Sequence, residues 1–404
     1  MLKKLLLTFL AMEGLGVTLP PVVAQRSYAP APPLPTRPVL QVDTPSPTAD
    51  KPQSKLWYRS GTWWALLPTS TGPSLWQRTP NGWVEAPEIR ESLKGVPGRV
   101  DVWANETETV AVGVGTHSLV VFKLEKKRNH WKAQVLVTLA PPIAGEAIET
   151  ATIVQDRAGR WWVAADAGGK VCVWSAKAKG TSWTNPLMLA EGLDKDDICL
   201  VSLLPDGIGV IWSDQRQEAI KIRMHQDRQP SHQWNPEEVI EAGHKTADDH
   251  LNSVLTTDGT LWLATKNSLD EKGKEQLVLR VRSKQGRWAN FPYAPLGAVR
   301  EPSRPIVVAT ENLVLAGHTV YNRENAPRGD IVFGRIDTTQ AAVLVGLTTV
   351  MAPDTAGWKA TNRINDVTGP KQPFPLNAPW IVLASDQEGR VYEADLRFLA
   401  SKQR

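Results

Sequence analysis

Two carboxylates and a histidine stand side by side at Asp248-Asp249-His250, within ADDHLNSVLTTDGTLWLAT (247–265). Such a trio offers ligands to a cation, or an acid–base pair to a glycosidic bond. Acidic residues recur at one distance from a turn glycine. Asp249 precedes Gly259 by ten residues, Asp197 precedes Gly207 by ten, and Glu149 precedes Gly159 by ten. Asp366, in RINDVTG, opens what reads as the equivalent strand later on, and Arg304 stands at about that place between them.

A ring of carboxylates has three readings. It is a Ca²⁺ site, with Asp197, Asp249 and Asp366 as oxygen ligands. It accepts hydrogen bonds from sugar hydroxyls. Or it ends strands by accepting backbone N–H bonds. No dense metal motif such as HExxH or DxDxDG is present, and His244, Asp248 and His250 resemble a transition-metal set only loosely. The expectation is therefore no cofactor, Ca²⁺ being the one the ring admits. Further polar residues fall in loops predicted on the same side: His117, Asp166, Asp214 in WSDQR (212–216), Lys266-Asn267 and His318. With Asp248, Asn252, Asn365 and Lys371 they make a mixed-charge surface suited to a polar, polyhydroxylated ligand. His250, or His318 beside Tyr321, is a candidate base for a lyase. No GxSxG elbow, P-loop or dinucleotide fingerprint appears.

Positioning such a ring requires a repeat, and one is present. Trp83, Trp131, Trp183, Trp234 and Trp288 recur about every 50 residues. In phase with them, SGTWWALL (60–67), DRAGRWWVAA (156–165), DGIGVIW (206–212) and DGTLWLAT (258–265) each set a glycine before an apolar run. Within 251–288, four short runs separated by turn residues read as four antiparallel strands. A period of about 50 residues with four strands per unit predicts an all-β protein, a β-propeller. Counting gives seven blades over 54–404, with six as the alternative because the last two units are irregular. The last unit shows only three strands, and RPVLQV (37–42) is the candidate for its outer strand. The recurrent tryptophans are expected to fill the wedges between blades.

The termini and composition bound the rest. Residues 1–24 read as an export signal, with Lys3-Lys4, an apolar stretch and Val22-Val23-Ala24 before Gln25. Residues 25–53 are rich in Pro, Ala, Ser and Thr and read as an extended linker. The expected location is extracytoplasmic, periplasmic or secreted. A formal net charge of +4, without a basic stripe, argues against nucleic acid, and no later stretch is apolar enough to span a bilayer. Cys172 and Cys199 read as buried strand residues, although export permits a disulfide.

The chain resembles secreted bacterial propellers with sialidase-like (BNR-type) repeats. KPQSKLWYRSGTWWALL (51–67), IWSDQ (211–215), ADDHLN (247–252), SRPIVV (303–308) and INDVTGPKQ (364–372) look like a set found in uncharacterised exported bacterial proteins. The resemblance implies the fold and an extracytoplasmic location and carries no activity. TTDGTLW and QDRAGRWW approximate the sialidase Asp-box, but between the inner two strands. The Arg-Ile-Pro signature is absent, so Arg216, Arg304 and Arg363 are not assignable as an arginine triad. IVQDRAGRWWVAAD also resembles the sensor propellers of two-component regulators. The expected function is non-catalytic recognition of a glycan or other polar ligand. The alternatives are a glycosidase or polysaccharide lyase at the same place, and a scaffold for a protein partner.

Overall fold

Apolar runs such as WWVAA, in the strand Trp161–Ala167 that is buried along its whole length, mark strands covered on both faces. A blade flanked by two other blades imposes that burial. The computed structural model describes residues 35–127, 130–177, 182–297, 300–322, 328–337, 343–354 and 359–400. They form seven four-stranded antiparallel sheets, so the six-blade alternative falls away. The inner strands, in order, are Leu56–Arg59, Val100–Ala104, Ile148–Gln155, Cys199–Leu204, Leu251–Leu255, Arg300–Ala309 and Asn365–Thr368. The export signal read at 1–24 and the first part of the linker lie outside the described residues.

The ring closes through the N-terminal segment. Leu40–Gln41 pairs antiparallel with Arg390–Asp395 and supplies the outer strand of blade seven. Around the channel, every junction between blades carries a hydrogen bond at the level of the inner strands. Asp101 accepts from Ser54 N at 2.7 Å and from Ile153 N at 2.6 Å. Thr152 Oγ1 accepts from Val201 N at 2.8 Å. Ser253 donates to Ser202 at 3.1 Å, and Asn252 Oδ1 accepts from Val307 N at 3.0 Å. Phe374 N donates to Ala309 O at 2.6 Å, and Lys55 N donates to Thr368 Oγ1 at 2.9 Å. Polar residues on or beside the inner strands thus satisfy backbone groups that face the next blade.

Apolar packing fills the wedges outside this belt. Trp83 and Trp131 are buried, and Trp103 meets Trp161 edge to face at 5.2 Å. Trp234 packs edge-on against Trp162 at 5.6 Å. Cys172 and Cys199 are free, buried thiols. Burial, chiefly, pushes Cys172 up to about 12, which leaves it unreactive.

Residues 43–53 depart from the linker reading. Pro47, Thr48, Pro52 and Gln53 are buried. The segment crosses the end of the channel as a strap. Ser46 N donates to Asp386 O at 2.9 Å and Thr48 bonds the Ser385 hydroxyl at 2.6 Å on blade seven. Gln53 Nε2 reaches Ala151 O on blade three at 3.1 Å. Backbone, hydroxyl and amide hydrogen bonds anchor it beside two buried prolines, so its composition resembles a linker's.

Candidate functional site: the channel mouth

Three inner strands break register at one level. Between Ile148 and Ala151, between Ser303 and Ile306, and between Asn365 and Thr368, two residues oppose one on the neighbouring strand. The bulged pairs are Glu149-Thr150, Arg304-Pro305 and Asp366-Val367, each led by a charged residue. A bulge of this count re-aims a side chain. Arg304 and Asp366 both hold φ of +51°, a conformation unfavourable for residues with a Cβ. The inner strands of blades four and five run without a break.

The bulge of blade three has its own clamp. Asp166, opposite it, accepts from Glu149 N at 3.0 Å, Thr150 N at 2.9 Å and Thr150 Oγ1 at 2.8 Å. The two backbone groups are donors that the break in the ladder frees. Across blades six and seven, Arg304 Nε donates to Asp366 Oδ1 at 2.6 Å. Arg304 also contacts the Tyr321 hydroxyl, which donates to Asn365 Oδ1 at 2.9 Å. The guanidinium of Arg363 lies over the Tyr321 ring, 4.7 Å from its centre.

At the entry to blade five, Asp248, Asp249 and His250 meet the strap. His250 Nδ1 contacts Asp248 Oδ1 and lies 2.5 Å from Asp249 Oδ1. Lys51, from the strap, donates to Asp249 Oδ2 and sits 3.5 Å from His250 Nδ1. Lys266 donates to Asp248 Oδ2 at 2.9 Å, and Ser268 Oγ adds a bond at 3.3 Å. Burial opposes the Asp249 anion, but His250 and Lys51 outweigh it and hold the carboxyl far below its usual range. Glu149 behaves in the opposite way. Burial, and then repulsion from Asp166 and Asp249, push it up to about 7 despite Lys51 and Arg99. Its carboxylate has no hydrogen-bond partner among the described residues.

The remaining candidates divide. Asp197 accepts backbone bonds from Asp194 at 2.9 Å and Gln215 at 3.1 Å, so it ends a strand. Asp214 caps the short turn 215–217 and pairs with Lys221 at 2.9 Å. His318 is a correction. Blade six has long strands, and His318 lies inside Val314–Asn322, not in a loop. It is 2% exposed and meets the edge of the Tyr293 ring at 6.0 Å; burial pushes it down to about 3. It does not pair with Tyr321. Lys371 passes into the channel and contacts Asp101, donating also to Ile153 O at 2.8 Å.

Asp197, Asp249 and Asp366 are not gathered as a ligand set. Among the described residues, one group of three brings metal-ligand atoms together: Asp248, Asp249 and His250, within 4.8 Å. Lys51 already supplies positive charge there. Sequence reasoning missed Lys51, Arg99 and Asp101. For Asp101 a signal existed, a lone acid in the apolar strand VDVWA. For Lys51 none did. Two voids adjoin the strap: about 20 Å³ at the mouth, between Thr48, Asp50, Lys51, Arg304 and Asp366, and about 110 Å³ within the channel.

The class defined is a seven-bladed β-propeller with a charged, strapped mouth. Neither a family model nor a curated sequence matches the chain. Solved structures similar to it include a sialidase of Trypanosoma rangeli in complex with the inhibitor DANA (12% identity, TM-score 0.46, 73% of this chain and 55% of that one). The chain therefore spans about half the sialidase's length. An α-L-arabinanase of Penicillium chrysogenum complexed with arabinobiose is similar at 11% identity (TM-score 0.43, 69% and 93%). So is a protein of unknown function from Dyadobacter fermentans DSM 18053 (11%, TM-score 0.47, 89% and 97%). No helix among the described residues is long and apolar enough to cross a membrane.

Proposed function

We propose that the mouth binds a polar, polyhydroxylated ligand, a saccharide, on an extracytoplasmic protein. The observation that supports this is the triple bulge. Three inner strands give up ladder hydrogen bonds at one level, and each spends the break on a charged side chain at the mouth. Two of the three, Arg304 and Asp366, hold strained backbone, and strain of that kind clusters at functional sites. A saccharide-sized pocket has a volume of at least about 300 Å³. Either void is smaller, so the ligand rests on the face of the propeller and against the strap. Glu149, with an unengaged carboxyl, and Asp249, with a part-exposed one, are its hydrogen-bonding contacts. A glycan array probed with the intact protein tests this. Binding should weaken at least tenfold in Glu149→Gln and Asp249→Asn. An array without a hit, or hits that both variants keep, would sink the reading.

A second reading rests on the opposed titration of the same two carboxyls. A proton held on Glu149 near neutral pH, with an ionised Asp249 acting on it electrostatically, is the kind of acid and carboxylate combination that glycosidic cleavage uses. Incubation with a polysaccharide panel separates the two readings. Released product with a basic limb near pH 7 that disappears in Glu149→Gln supports hydrolysis; binding without product supports recognition alone.

A further inference from the structure

We propose that the strap is a latch: the contact of Lys51 with Asp249 and His250 holds the ring-closing strand in place, so that mouth and ring closure are coupled. One continuous segment makes both contacts. Val39 N donates to Val391 O at 2.8 Å and Val42 N to Gly389 O at 3.0 Å, flanking the paired residues Leu40 and Gln41. Ser46 and Thr48 then bond to Asp386 and Ser385. Lys51 comes next in the chain, and it reaches blade five, two blades round the ring from the blade-seven contacts.

The closing strand is weak alone. It pairs through two residues, Gln41 is exposed and Leu40 half-buried. Val42 is the one buried residue that the closing segment gives to the apolar cluster shared by blades six, seven and one. A strand so short opens locally far more readily than the sheets beneath it. The next stretch of chain is stiffer. Thr48, Pro52, Gln53, Ser54 and Lys55 are buried, and the Lys55 ammonium donates to Ala49 O at 2.5 Å, drawing the strap into a tight curve. Arg99 pairs with Asp50 at 2.6 Å beside it. Lys51 and Asp249 keep only 21% and 28% of their side-chain surface exposed, so water screens the pair less than at an open surface. With few free residues between the two ends, releasing Lys51 slackens the segment that carries Val42. By linkage, the dependence runs both ways: whatever strengthens the mouth contact tightens the ring, and opening the ring loosens Lys51.

Hydrogen exchange on the full chain tests the latch without a ligand, so its outcome is independent of the saccharide reading. The probes are the amides of Val39, Val42 and Ser46, with the blade-four strand Gly207–Asp214 as internal reference. In Asp249→Asn and in Lys51→Met, these three amides should exchange at least about fivefold faster while the reference is unchanged. Arg216→Met, which removes an exposed ion pair on the same face, should leave both sets as they are. Val39→Pro, which deletes the donor to Val391 O, supplies the reverse arm. In its background Asp249→Asn should cost less stability than in the wild type. Unchanged exchange of the three amides in either variant, acceleration shared with blade four or with Arg216→Met, or additive stability losses would overturn the proposal.

Discussion

At the scale of single residues, the channel holds a charge pair whose acidic member is fully buried and whose lysine keeps little exposed surface. Asp101 and Lys371 are in contact, and the Asp101 side chain is fully buried. Burial pushes the Asp101 carboxyl up and the Lys371 ammonium down, and their contact opposes both shifts. Removing one partner strands the other in a medium that solvates it poorly. Lys371→Met should therefore destabilise the fold by about 3–5 kcal/mol, and adding Asp101→Asn should recover part of the loss. Urea denaturation of the three proteins measures this; a cost below about 1 kcal/mol would show that Asp101 is satisfied by the Ser54 and Ile153 amides alone. Glu149 makes a different prediction. Its folded value of about 7 exceeds the ordinary 4.5, so the folded state holds the proton more tightly. That stabilisation is complete below about pH 4.5 and is lost as pH rises through 7. Glu149→Gln cannot lose it. Relative to wild type, the variant should gain on the order of 1 kcal/mol between pH 5 and pH 8, after allowing for solvent screening. Urea midpoints at the two pH values decide it, and a parallel pH dependence in both proteins would remove Glu149 from the cluster.

At the scale of elements, the bulges decide what reaches the mouth. Asp166 reads from sequence as a mouth residue, yet its carboxylate is spent on the blade-three bulge. Asp166→Ala frees two backbone donors and a hydroxyl at a buried site. A loss of about 2–3 kcal/mol follows. Because the bulge aims Glu149, any ligand binding that needs Glu149 should fall with it, whereas Asp166→Asn should keep much of both. Chemical denaturation paired with binding checks the two effects together. The strands themselves were legible because every blade buries the same faces, so apolar runs and turn glycines recur once per blade. The bulges were not. Ten residues separate Glu149 from Gly159, as they separate Asp249 from Gly259, but only the first stretch carries an extra residue against its partner. A bulge is a property of two strands read together, and neither strand records it. His318 failed for a related reason: a loop was expected where blade six extends its strands.

At the scale of the whole molecule, one two-residue strand closes the ring. An open propeller leaves the edge of Arg390–Asp395 unpaired, and an unpaired edge recruits other chains. The N-terminal stretch 37–42 was recognisable as a candidate closer because the last unit lacked a strand. The strap beyond it was hidden in Pro- and Thr-rich sequence. Gly389 is where closure is most exposed to a single substitution. It holds φ of +78°, and a Cβ there would fall on the carbonyl of Val42 and within 2.9 Å of that of Thr44. Gly389→Ala therefore adds backbone strain at a residue whose carbonyl accepts the Val42 amide. The neighbouring carbonyls belong to backbone and cannot rotate aside as a side chain would. The closing strand, held by two paired residues, is the part that yields. The urea midpoint should fall by an amount corresponding to at least about 1–2 kcal/mol. Light scattering on warming should rise earlier than in wild type, because the freed edge is then available. Gly61→Ala is the control for conformation alone: its φ of +79° is equally strained, and its Cβ would meet nothing within 4 Å. If the two variants lose the same stability and aggregate alike, strain accounts for both and the clash at the closure contributes nothing. If Gly389→Ala alone aggregates early, the two-residue outer strand is what keeps the seventh blade from acting as an edge.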